Sequence, residues 1–402
     1  MIKDTIVRSF SFWLVGVLSC ICKLDPIVMP KIIPFLLCLF PLFVSLLDLF
    51  KTSSLKNIFF LKWYGLFFAL VLISLLYTAN QIDPEVVIRR CSLCFVLGFS
   101  LSQLCRSFSE IKKVLLGVVH GAFFTEVMTF SVEFSSIGSS RMGGVTCGAG
   151  TCYAGILLVG LFCVLLLSEF EYRKSYVVFG ILFFVGIVLS GSRMPLIFSV
   201  LGFFAIKVLQ GQIKINSVLY MFVFIGVFVA VIYVLMHVPF FVNIIGERIG
   251  SMIESFLYGV DSSVDLSLKY REQMKMEALK LWQTSPFWGR GVNSFWVLSP
   301  ITNGRAPSHC GFTEILCSFG CLGFILFYWP FIKNLKSLLH FNLNLETKMK
   351  IILLFLLVME WQGGYFESSV HIVFCLSLFL YIKFLQIMNS KKLEPKKCLS
   401  SI

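Results

Sequence analysis

Charge is scarce in this chain. Asp, Glu, Lys and Arg make up 14% of its 402 residues, where a soluble domain carries roughly 25%. Hydrophobic residues reach 58%, 44 of them Phe, and the mean hydropathy is +0.90. No water-soluble fold of this length hides so much apolar surface, so lipid must be the solvent for much of it. Signatures of soluble catalysis are missing too. There is no Asp-x-Asp pair for a metal-bound nucleotide sugar, no phosphate-binding P-loop, no dinucleotide glycine fingerprint and no His-Glu-x-x-His. ATP hydrolysis and nucleotide-sugar chemistry are therefore unsupported. No dense stripe of charge runs through the apolar segments, as an ion path would require, and there is no internal repeat or low-complexity tract.

What is there reads as an all-α polytopic membrane protein. Twelve apolar segments qualify as spanning helices, at roughly 9–22, 32–50, 63–78, 91–105, 114–132, 150–168, 175–190, 194–209, 217–237, 312–332, 349–363 and 370–388. The formal charge of +13 does not call for nucleic acid, because Lys and Arg gather on the cytoplasmic side of membrane proteins. With the N-terminus inside, 21 of the 34 Lys and Arg fall on inner segments. Of the remaining 13, seven lie in one long loop, 238–311. Long loops say little about orientation, so both termini are expected inside and that loop outside. The chain divides into a membrane bundle at 1–237, the outer loop at 238–311, and the closing helices with an inner tail at 312–402. The first span follows Lys3 and Arg8 and is expected to remain as an anchor.

The 14 Cys lie mostly in apolar runs, where Cys acts as a small hydrophobe. Cys91 and Cys94 have C-x-x-C spacing but sit within a span, which speaks against zinc or redox use. Cys147 and Cys152 share a short outer loop, where a disulfide is one option.

Within the large loop, 267–283 has helical periodicity: Tyr270, Met274, Ala278, Leu281 and Trp282 recur on one face. Arg271 and Lys275 lie one turn apart on a neighbouring stripe, and Ser285-Pro286 ends the helix. Arg193 sits in Ser190-Gly191-Ser192-Arg193-Met194-Pro195, a tight outer turn. A charge so near the membrane tends to be functional, and a guanidinium suits a phosphate; the other reading is an interfacial Arg reaching for headgroups. His309 stands where the loop re-enters the membrane and can take a proton near neutrality, although a lone His is more often a plain interface residue. Arg271 on bare sequence reads better as a solvated helix face than as a site residue. Arg89, Arg90 and Arg141 lie beside outer membrane entries. Such a cluster fits a lipid-linked phosphate and fits plain anionic lipid as well.

Four stretches in order resemble the O-antigen ligase family, which shares a domain with O-antigen polymerases. They are Arg141-Met142-Gly143-Gly144 with Gly148-Ala149-Gly150-Thr151-Cys152-Tyr153; Leu189-Ser190-Gly191-Ser192-Arg193; Tyr270-Arg271 with Ala278, Trp282 and Ser285-Pro286-Phe287-Trp288-Gly289-Arg290-Gly291; and His309 with Phe312, Glu314, Ile315, Leu316, Gly320 and Leu322-Gly323. The resemblance covers roughly 140–330 and the twelve-span layout. Cys310 departs from it, standing where the family usually has Asn, and so does Arg290, between two glycines where an apolar residue is common.

The resemblance implies a glycosyltransferase of the bacterial inner membrane whose large loop is periplasmic. Its donor would be a glycan on undecaprenyl pyrophosphate. Its acceptor, for a ligase, would be a sugar hydroxyl of the lipid A core in lipopolysaccharide biosynthesis. No metal or other cofactor is implied. His309 would be the general base, and Arg193 and Arg271 the pyrophosphate clamps. Arg141, Arg290, Glu314, Arg89 and Arg90 would bind or support substrate. Inversion at the anomeric carbon would follow from a single displacement. A polymerase joining lipid-linked repeats is the alternative within the family. A lipid-linked glycan transporter is the alternative outside it, disfavoured because transporters bind near mid-membrane.

Overall fold

The computed structural model describes residues 2–52, 58–78, 84–137, 141–210, 266–301, 307–338, 345–360 and 366–393, with isolated positions between 226 and 250. Its regular structure is helical: α1 Ile2–Ile21, α2 Ile32–Thr52, α3 Ile58–Ser74, α4 Pro84–Leu104, α5 Phe108–Glu133, α6 Gly150–Ser168, α7 Lys174–Leu189, α8 Arg193–Gln210, α9 Leu266–Gln283, α10 Ser294–Leu298, α11 Gly311–Leu338, α12 Leu345–Glu360 and α13 Ser369–Leu393. Helix α3 contains a π-turn at Leu61–Gly65. Each expected span other than 217–237 coincides with one of these helices, and the amphipathic loop segment is α9. Most of 217–237, the loop from 251 to 265, and residues 302–306 with Gly304 lie outside the described residues.

Among the described residues, five helices are long and apolar enough to cross a membrane: α2, α5, α6, Gly311–Lys333 of α11 and Ser369–Met388 of α13. Parts of α1, α3, α7, α8 and α12 are apolar but shorter. The chain is thus a helical protein with membrane-spanning character.

Glycine sets the closest helix approach. Gly16 of α1 meets the backbone of Val114 and Gly117 on α5, and Gly117 in turn lies on Trp13. A Cβ at either position would collide with main chain, so two small residues let the backbones touch. An aromatic cluster of Trp63, Phe67, Phe319, Phe327 and Phe366 ties α3 to α11 and to the start of α13.

The two ends of the bundle are polar in different ways. At one end, Arg8 of α1 reaches Asp48 of α2 at 3.2 Å and Glu110 of α5 at 3.3 Å, and Arg106 joins Asp48. Glu110 also closes a capping box with Ser107, which starts α5. At the far end of α1, Asp25 N–H donates to Thr146 O at 2.7 Å and Lys23 Nζ to Glu367 O at 3.2 Å. The candidate site belongs to this second end.

Candidate active site

Helix α11 is broken at Gly320, whose φ is 63° and ψ is −164°. That region is open essentially to Gly alone. The break frees backbone groups, and the turn after α9 takes them up. Arg290 N–H donates to Cys317 O at 2.8 Å and Gly291 N–H to Ser318 O at 2.9 Å. In return Cys321 N–H donates to Pro286 O at 2.8 Å and Leu322 N–H to Phe287 O at 3.3 Å. A Cβ at Gly289 would strike Ser318 and Phe319, and one at Gly320 would strike Phe287. The Pro-Phe-Trp-Gly-Arg-Gly stretch and the Gly320 stretch are therefore two halves of one backbone lock.

The lock fixes α9 against α11. Met274 and Ala278 of α9 are buried on Phe295 and Cys317, with Leu281 and Ile301 beside them. Arg271, one turn before Met274 on the neighbouring stripe, is thereby carried to the start of α11 in a half-buried position. There its charge lies near His309. The imidazole is half-buried, and its pKa lies below the usual histidine value, first because burial disfavours the charged ring and second because the Arg271 charge is close by.

His309 itself sits in the left-handed region, with φ of 54°. His is one of the residues enriched there, although the conformation still costs energy. Its neighbours hold the turn. Ser308 N–H donates to Glu314 Oε2 at 2.8 Å. Ser308 Oγ donates to Cys310 O at 3.0 Å, and Thr313 Oγ1 reaches Ser308 Oγ at 3.1 Å. Glu314 is 2% exposed, so it acts as an internal brace under the histidine. Cys310 is fully buried, and its backbone carbonyl makes its hydrogen bonds.

A second construction surrounds Arg141 and Arg193. Glu133, at the end of α5, accepts from Gly143 N–H at 2.8 Å, Val145 N–H at 3.1 Å, and Thr146 N–H at 2.8 Å. The carboxylate thus forms the centre around which the Arg141-Met142-Gly143-Gly144 turn folds. Met142 N–H donates to Leu189 O at 3.2 Å. A Cβ on Gly150 would lie 3.0 Å from both Met142 O and Ser190 O, so a larger residue at the start of α6 would press on both turns. Gly191, at φ 63°, then turns the chain into α8, which Arg193 opens in a half-buried position.

These two constructions belong to one end of the molecule. The 141–148 turn bonds to Asp25; Lys23 bonds to Glu367; and Glu367 Oε1 accepts from Asn293 Nδ2 at 3.3 Å, just beyond the backbone lock. The remaining cations are engaged differently. Arg290 donates through Nε to Thr284 Oγ1 at 2.7 Å, which folds it back on the end of α9. Arg89 pairs with Glu85 at 3.6 Å and Arg90 with Glu367 at 2.6 Å. Cys147 and Cys152 are free thiols. Among the described residues no group of three His, Cys, Asp or Glu is placed to hold a metal.

Three polar residues matter here that sequence reasoning did not select. Glu133 and Glu367 organise turns through backbone and long-range bonds. Lys275 is 3% exposed, bonds Glu272 at 2.7 Å, and places its charge near Cys310. Its position one turn after Arg271 on a shared stripe was the available signal.

Residues 178–328 match the model of the O-Antigen ligase family, a domain shared by O-antigen ligases and polymerases. The match takes in Arg193, Arg271, Arg290, His309 and Glu314, with both halves of the backbone lock. Arg89, Arg90 and Arg141 lie before it. No curated protein matches the chain.

Proposed function

We propose that the chain is an O-antigen ligase of the bacterial inner membrane, moving a glycan from undecaprenyl pyrophosphate to a sugar hydroxyl of the lipid A core. The observation that supports this reading is the Arg271 charge near His309, both within the family-matched segment. With its pKa held low, the imidazole is neutral at pH 7 and free to accept a proton. The acceptor hydroxyl gives that proton to His309 as its oxygen bonds to the anomeric carbon. The bond from that carbon to the diphosphate oxygen breaks, and the diphosphate leaves with the electron pair. Arg271 and Arg193 meet the charge that develops on it. Arg141 supports Arg193 from the adjoining turn, and Arg290 and Glu314 hold the architecture around His309. Pyrophosphate is a good leaving group once its charge is met, so this donor asks for little beyond a base and clamps.

The test is transfer in vitro from an isolated lipid-linked donor to a lipid A-core acceptor. His309→Ala, Arg193→Ala and Arg271→Ala should each lower the rate by about 10²–10³ while leaving expression intact. Near-normal transfer by all three would refute the assignment. Because the matched domain is shared with polymerases, the deletion phenotype decides between the two. Unattached lipid-linked polymer marks a ligase, and single attached repeats mark a polymerase.

A further inference from the structure

A cavity of about 950 Å³ opens between α2 and α4 at the same end of the bundle. The cations that line it, Lys23, Lys31, Arg89 and Arg90, belong to the chain before α2 and to the first half of α4. Further along the helices its lining is apolar, with Pro34, Cys38, Leu39 and Leu42 of α2 and Leu93 and Val96 of α4. Phe35 and Leu39 line it yet stay exposed, and only 22% of the α2 apolar window is buried in the protein. The cavity is thus open toward the face that α2 presents to lipid. An apolar slot with cations at one end is the shape of a lipid tail below a phosphate.

The charge balance narrows the occupant. Against four cations the lining sets three carboxylates, Asp25, Glu85 and Glu367, leaving one positive charge in excess. Arg89 and Arg90 are already paired with Glu85 and Glu367, and Asp25 Oδ1 is taken by Ile27 N–H. Lys23 and Lys31 are the cations without a carboxylate partner in that lining. One net positive charge fits one phosphodiester, whereas a diphosphate brings at least two negative charges. We propose that this cavity binds an anionic phosphodiester lipid of the phosphatidylglycerol type, held by Lys23 and Lys31 and distinct from the donor's diphosphate. Its headgroup lies against Glu367, which joins Arg90 to Asn293 and hence to the backbone lock. A bound lipid therefore wedges α2 and α4 at the edge of the site.

The experiment is native mass spectrometry of the detergent-purified full chain, titrated with phosphatidylglycerol and, separately, phosphatidylcholine. One phosphatidylglycerol should bind with clear preference. Lys31→Ala, at an exposed position, should weaken it about fivefold, and adding Lys23→Ala should bring the loss to about twenty-five-fold. Leu42→Trp, which adds bulk to the apolar part of the lining, should abolish binding without lowering the melting temperature. Equal binding of phosphatidylcholine, or unchanged binding by Leu42→Trp and by Lys31→Ala, would overturn the proposal. So would displacement of phosphatidylglycerol by an equimolar amount of undecaprenyl pyrophosphate. These readouts involve no glycan transfer, so they stand or fall apart from the ligase reading.

Discussion

At the scale of single residues, the informative quantity is the proton affinity of His309. Burial and the Arg271 charge both lower it, so the ring loses its proton at a pH below the ordinary value of about 6.5. A general base works deprotonated. The acid limb of transfer activity should therefore fall below pH 6.5, and activity should be level from there through neutrality. Replacing Arg271 by Gln removes one of the two causes and lets the imidazole hold its proton to higher pH. The acid limb of kcat/KM should then move up toward 6.5, in addition to the drop in rate from the lost clamp. Arg271→Lys keeps the charge and should leave the limb in place. A limb that stays fixed in Arg271→Gln would mean the guanidinium does not act on His309. The position of His309 just before an apolar helix was legible in the sequence, and that helix starts at Gly311. The motif offers Glu314 for substrate binding or support without saying which, and its carboxylate accepts from the Ser308 backbone N–H. A carboxylate's target depends on a local turn that spacing alone does not reveal.

At the scale of elements, the apolar helices were readable because a run of hydrophobic residues near 20 long has few other uses. Helix α6 lies where hydropathy places it, at Gly150–Ser168. Helix α1 begins earlier than hydropathy suggests, at Ile2, because Arg8 stays helical while pairing with Asp48 and Glu110. Charge lowers a hydropathy average without ending a helix. The break in α11 could not be read that way, since Gly320 sits inside an unbroken apolar run. Only the four hydrogen bonds to the 286–291 turn give it a purpose. Gly320→Ala should therefore cost roughly 1–3 kcal/mol from its backbone conformation alone, more with the collision at Phe287. It should lower the melting temperature and abolish transfer without touching Arg271 or His309. Gly155→Ala is the matched control: it lies within α6, a Cβ there has nothing within 4 Å, and Ala favours helix by about 0.5–1 kcal/mol. A Gly320→Ala protein as stable and active as Gly155→Ala would remove the backbone lock from the account of the site.

At the scale of the whole molecule, α1 separates two clusters of charge. Its 20 residues span about 30 Å, near the thickness of a hydrocarbon core. Arg8, Asp48, Arg106 and Glu110 meet at one end. Lys23, Glu367, Asn293 and the backbone lock under His309 meet at the other. A protein that works on lipid-linked glycans outside the cytosol needs the second end outward, and the count of inner Lys and Arg asks for the same direction. The proposed chemistry and the charge count thus favour the same orientation. Alkaline phosphatase fused after Ser299 should be active in cells, because it folds only outside the cytosol. Green fluorescent protein fused after Leu393 should fluoresce, because it matures inside. The reverse pair of results would put His309 on the cytosolic face, away from any acceptor assembled outside, and the proposed chemistry would have no substrate to meet.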